Sequence, residues 1–142
     1  MLAVCIASCR EKQDIEATHA RYAPGQVWTY KTRSGEPTSR LTVLRIDKED
    51  PLGFIVHVRV DGLSLKSPTA PGGFAKEIGH LPFAVTAIDE SVIKMEGSVS
   101  VPSFREGYQT WRTAFDKKKA GVWSVPVAEA VAAMERILTD KR

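Results

Sequence analysis

Between Gly25 and Ser67 the chain alternates β-prone runs with turn-forming residues, a pattern that leaves few folds open. The run GQVWTYKT, residues 25–32, is aromatic and β-branched, which suits a pleated surface. Ser34, Gly35, Glu36 and Pro37 break it. RLTVLRI, residues 40–46, is apolar on both faces, with Leu41 and Val43 on one and Leu44 and Ile46 on the other. That is the pattern of a strand covered on two sides. Asp50, Pro51 and Gly53 mark a turn. Phe54, Val56, Val58 and Val60 then share one face of a third strand, and Ile55, His57 and Arg59 the other. Asp61-Gly62 suits a two-residue hairpin. That register sets Val60 against Leu63 and His57 against Lys66, and predicts a cationic strip of His57, Arg59 and Lys66. A solvated sheet side explains such a strip without any function; a contact surface is the sharper reading.

After Pro68 the signals become helical. Pro71-Gly72 fits the centre of a type II turn. Leu81-Pro82 suits a helix start. From Phe83 to Glu96, Val85, Ile88, Val92 and Met95 recur at helical spacing, although the β-branched content also permits two short strands. Ser103 and Glu106 match a capping box, opening a helix with Phe104, Tyr108, Trp111 and Phe115 on one stripe and Gly121 past its end. Such a stripe is ordinarily core; a ligand cage is the sharper reading. Residues 122–125 read as one further strand. From Pro126, Val127, Val131, Met134 and Leu138 repeat the stripe, with Glu129, Glu135 and Arg136 facing outward. The expected fold is α+β: a single antiparallel sheet of four to five strands with about three helices packed on one face.

The 142 residues fit one folded domain, expected over residues 23–142. Twenty basic and seventeen acidic residues leave a net charge of +3, too weak a bias to argue for nucleic acid. The one basic run, Lys117 to Lys119, suits a helix C-terminus. Two cysteines and three scattered histidines supply no zinc spacing, and no nucleotide, GxSxG or HExxH motif occurs, so neither a metal nor a cofactor is expected. His57 beside Arg59 and Lys66 would be held neutral. His80 follows a glycine just before the expected helix start, in a loop able to meet a ligand. For each, the bland reading is a histidine satisfied by a backbone hydrogen bond. His19 is expected to be solvated.

Ile6-Ala7-Ser8-Cys9 resembles the lipobox of bacterial lipoproteins, in which the cysteine carries the lipid. The resemblance implies lipidation at Cys9, with residues 1–22 as a signal remnant and tether. Only eight residues precede Cys9, where a signal peptide has roughly 15–30. The cell envelope and the cytoplasm both stay open. The run Tyr22 to Arg33, the stretches Ala70 to Phe74 and Ile78 to Phe83, and Glu106-Gly107-Tyr108 with Trp111 are together similar to a set of small uncharacterised bacterial proteins. That resemblance implies a bacterial source and no particular chemistry.

Two functions compete at this point. One is a non-enzymatic binding or protein-interaction module, meeting an anionic ligand or another protein through Lys31, His57, Arg59 and Lys66, with His80 as a further contact. The other is a small hydrolase or isomerase using His80 or His57 as general acid or base. A concave pocket with one of those histidines beside a carboxylate or hydroxyl would separate them.

Overall fold

The computed structural model describes residues 15–140. Seven strands and three α-helices follow in the order β1 (Gln26–Tyr30), β2 (Arg40–Glu49), β3 (Gly53–Asp61), β4 (Leu65–Lys66), β5 (Phe74–Ala75), β6 (Ile78–Ala84), α1 (Val85–Ser91), β7 (Val92–Ser98), α2 (Arg105–Asp116) and α3 (Val127–Asp140). Five strands form one antiparallel sheet in the order β6-β3-β2-β1-β7, and β4 pairs with β5 in a small second sheet. The fold is α+β.

The larger core lies on one face of the sheet. Val56, Val58 and Val60 of β3 meet Leu41, Val43 and Ile46 of β2, Ala87 and Ile88 of α1, and Val127, Ala130 and Val131 of α3. Each large apolar side chain so buried stabilises by about 1.5–3 kcal/mol. The α3 stripe forms as its spacing implies, with Met134 and Leu138 packed against the same core. Ser91 joins the two helices on this face: its buried hydroxyl accepts the Val127 N–H at 2.9 Å and so caps α3. Glu135 does not face outward as its position on the stripe suggests. It accepts from Arg33 at 3.1 Å and from the Lys66 N–H at 2.8 Å, tying α3 to β4.

The second helix, α2, covers the opposite face. Tyr108 and Trp111 bury against Ile55, flanked by Phe104 and Phe115. The helices therefore sandwich the sheet rather than sharing one side. Burial on both faces is what the two-sided pattern of β2 signals, but its faces divide differently. Val43 pairs with Val58 while Arg45 pairs with His57, so Leu44 is an extra residue in a β-bulge. The bulge shifts parity: Leu41, Val43 and Ile46 share the large core, and Arg45 and Asp47 join His57 under α2.

Several local expectations give way to longer-range pairing. The Asp61-Gly62 hairpin does not form: Gly62 alone takes positive φ, and β3 pairs with β6 instead. Leu81-Pro82 lies in β6 rather than at a helix start. The Pro82 carbonyl accepts from Trp123 N–H at 2.9 Å, on the side away from β3, so the missing proline N–H costs no ladder bond at this sheet edge. Residues 83–96 divide into the end of β6, α1 and the start of β7. Residues 122–125 contribute one isolated bridge, Phe83 to Trp123. The Ser103 hydroxyl makes no cap bond, and α2 ends at Asp116, with Lys118 at φ 59° supplying the turn expected of Gly121. The Pro71-Gly72 turn forms, closed by Gly73 N–H to the Ala70 carbonyl at 2.9 Å. Just before β1, residues 17–22 are held against the fold. Ala17 N–H donates to the Ile46 carbonyl at 2.7 Å, Tyr22 is buried, and His19 is half-buried against Tyr22 and Phe54.

Candidate active site

Under α2 five polar side chains meet: Asp47, His57 and His80 in series, with Tyr108 and Arg45 on the Asp47 carboxylate. Asp47 projects from β2 on the face set by the Leu44 bulge. His57 stands on β3 beside it, and its Nε2 lies 2.9 Å from Asp47 Oδ2. His57 Nδ1 lies 2.9 Å from His80 Nε2. His80 reaches that position through a second irregularity: β6 advances three residues, Ile78 to Leu81, while β3 advances two, Val58 to Val60. Tyr108 on α2 donates its hydroxyl to Asp47 Oδ2 at 2.9 Å, and Arg45 Nε donates to Oδ1 at 2.9 Å. Edge-on contacts from Tyr108 and Trp111 wall in the His57 ring.

The chemistry of the groups fixes the protons. An ionised carboxylate only accepts, so His57 carries its proton on Nε2 and donates it to Asp47. Its Nδ1 is then an acceptor, filled by His80 Nε2–H. That leaves the lone pair on His80 Nδ1. Burial alone would raise the Asp47 carboxyl, but hydrogen bonds from His57, Arg45 and Tyr108 overcome it and hold the pKa at about 2. Burial, reinforced by Arg45 and Arg112, depresses His57 despite Asp47. Burial and then the neighbouring His57 depress His80 to about 4. At neutral pH the series is carboxylate, neutral imidazole, neutral imidazole.

His57 is fully buried, whereas His80 opens on a cavity of about 570 Å³. Gly79, Phe104, Arg105, Gly107 and Thr110 are among its lining. Gly107 has a specific task there: a Cβ at this position would stand 3.1 Å from His80 Cβ and 3.8 Å from Nδ1. Glycine lets the first turn of α2 close over the imidazole. Asp47, His57 and His80 are linked one to the next, and among the described residues no group of His, Cys, Asp or Glu is placed to hold a metal ion.

The cationic strip is not assembled. His57 is covered by α2, and burial, not Arg59 or Lys66, depresses it. Arg59 is held in ion pairs by Asp61 and Glu77. Lys66 belongs to the small sheet, and Lys31 follows β1, two strands away from β3. Cys9 lies outside the described residues. Of the five residues expected to bind, the structure joins two, His57 and His80. Asp47 and Arg45 are functional candidates that no sequence pattern singled out, and Tyr108 stood out only as a member of the aromatic stripe. The available signal was an aspartate inside a β-branched strand, a position where aspartate is depleted. No family model, curated protein or solved structure matches this chain.

Proposed function

We propose that the protein is a small acid–base enzyme of hydrolase or isomerase type, with the His80 pocket as its active site. The observation that carries this reading is the lone pair of His80 Nδ1 at a cavity, backed in series by His57 and Asp47. A proton taken at His80 Nδ1 releases the Nε2 proton to His57 Nδ1. The imidazolium formed there is stabilised by the Asp47 carboxylate, already oriented by Arg45 and Tyr108. His80 is a weak base, with its pKa near 4, and burial depresses His57 as well; the Asp47 carboxylate opposes that depression and so favours the transient cation.

Two measurements test the reading. Nitrogen NMR of the histidine rings at neutral pH is expected to show His80 as the Nε2–H tautomer; an Nδ1–H tautomer would remove the base. A panel of chromogenic esters and enolisable ketones then reports turnover. Activity found in this panel should fall by roughly 10²–10⁴-fold in His80→Gln. Turnover that survives His80→Gln places the chemistry elsewhere.

A further inference from the structure

The wall of the His80 cavity carries a cation that the fold does not use. Arg21, Arg33, Arg40, Arg45, Arg59 and Arg112 are all held in ion pairs. Arg105 and Arg136 have no such partner among the described residues, and of these two only Arg105 lines the cavity onto which His80 opens. Its place in the chain makes this conspicuous. Arg105 is the first residue of α2, at the positive end of the helix dipole, where acidic side chains are favoured and cations are not. Glu106 in the same turn is accounted for by that dipole. Nothing within the fold accounts for Arg105. An unpaired charge set against its local preference, on the wall of a cavity, fits a group whose partner comes from outside.

We propose that Arg105 binds an anionic group of the substrate, a carboxylate or a phosphate, and so holds the reacting part of the molecule at His80. This rests on the acid–base reading of the same cavity and adds to it the class of substrate. A guanidinium offers a planar fork of N–H donors that matches two oxygens of either anion. At about 570 Å³ the cavity has room for a small acid beside both groups, and Ile78 and Phe104 add apolar surface for its carbon skeleton. Glu106 lines the same cavity with the opposite charge, so the anion sits with the guanidinium and away from that carboxylate. The bound anion also serves the base. A negative charge brought into the cavity favours protonated His80, against the depression that burial imposes.

NMR titration of the full chain with inorganic phosphate and with succinate tests this without relying on turnover. Both probes are expected to bind at millimolar concentration, more weakly as salt rises, and to move the His80 ring and Gly107 amide resonances. The tighter probe identifies the anion. Arg105→Gln should weaken binding roughly tenfold or more, and Glu106→Gln, which removes the neighbouring negative charge, should strengthen it. His80→Gln should retain binding, read at the Gly107 amide. Binding lost in Arg105→Gln and kept in His80→Gln supports the anion site even where no ester or ketone is turned over, and the acid–base reading then falls alone. Where turnover is found, the preference in kcat/KM for a carboxylated ester over its uncharged homologue should collapse in Arg105→Gln. A wild type that binds neither probe would overturn the proposal, as would binding indifferent to Arg105→Gln or binding that leaves the His80 ring unmoved.

Discussion

The imidazoles of His57 and His80 lie 2.9 Å apart, Nδ1 to Nε2, with ring planes 15° from parallel. Two imidazoles that share one proton at this distance cannot both be cationic without losing that bond and gaining a like-charge contact. The pair is therefore built for the neutral state, and takes up one proton at a time.

Acid should accordingly destabilise the fold well before the carboxylates titrate. The folded His80 sits near pH 4, against an ordinary value near 6.5. Between those values the unfolded chain binds more protons, so stability is complete above about pH 6.5 and falls as pH drops toward 4. Asp47, held near 2 against an ordinary value near 3.8, adds to the slope only below about pH 5, where the unfolded carboxylate begins to take up protons. Denaturant unfolding at pH 7.5, 6 and 5 should show a steady loss, reduced in His80→Gln. A profile flat over this range in the wild type would mean that His80 is not buried neutral.

How much of this was readable in the chain depends on the range of the interaction. The α+β class was legible because Val56, Val58 and Val60 alternate and because the α2 and α3 stripes recur at helical spacing, both local properties. The Leu44 bulge was not, since alternation assumes no extra residue, and one extra residue moves Asp47 from the core face to the histidine face. Asp61-Gly62 carried a strong local turn signal that lost to the pairing of β3 with β6. His80 was singled out from the residues but assigned to a loop. Its partnership with His57 depends on strand pairing and on where α2 docks, neither of which a single sequence spells out.

Removing the Asp47 carboxylate should be among the most damaging single changes. Asp47→Ala leaves the Arg45 guanidinium without this carboxylate and takes the acceptor from His57 Nε2–H and the Tyr108 hydroxyl. A cost of about 3–5 kcal/mol follows for breaking a buried charged group of this kind. Tyr108→Phe keeps the ring packing and loses only one bond to the carboxylate, for about 1–2 kcal/mol. Urea denaturation should rank them in that order. A Tyr108→Phe loss as large as that of Asp47→Ala would show that the hydroxyl, not the carboxylate, anchors the cluster.

Gly107→Ala sets two effects against each other. Alanine gains about 1 kcal/mol of helix propensity over glycine. The added methyl would stand 3.1 Å from His80 Cβ, so the imidazole must give by a few tenths of an ångström. His80 is restrained by its bond to His57, which makes that movement costly. The expected outcome is a net loss of stability together with slower modification of His80 by diethyl pyrocarbonate, which needs the free Nδ1. Equal modification rates in Gly107→Ala and the wild type would show that Nδ1 does not face this wall.

Gly25→Ala should destabilise through two independent causes at one position. Gly25 joins three segments: its N–H donates to the Val43 carbonyl at 2.8 Å, and its carbonyl accepts from Val99 N–H at 2.8 Å. Its φ of 92° lies where L-residues are strained, and a Cβ would stand 2.5 Å from the Val99 carbonyl oxygen, a backbone atom that cannot rotate away. Either the Val99 bond breaks and the end of β7 detaches from β1, or the β1 entry shifts. Strain of this sort costs of the order of 1–3 kcal/mol before the lost hydrogen bond is counted. Hydrogen exchange locates the damage: the Val99 amide should lose protection in Gly25→Ala while the Val58 amide, in the central ladder, keeps it. Uniform loss at both would mean global unfolding rather than release of this edge.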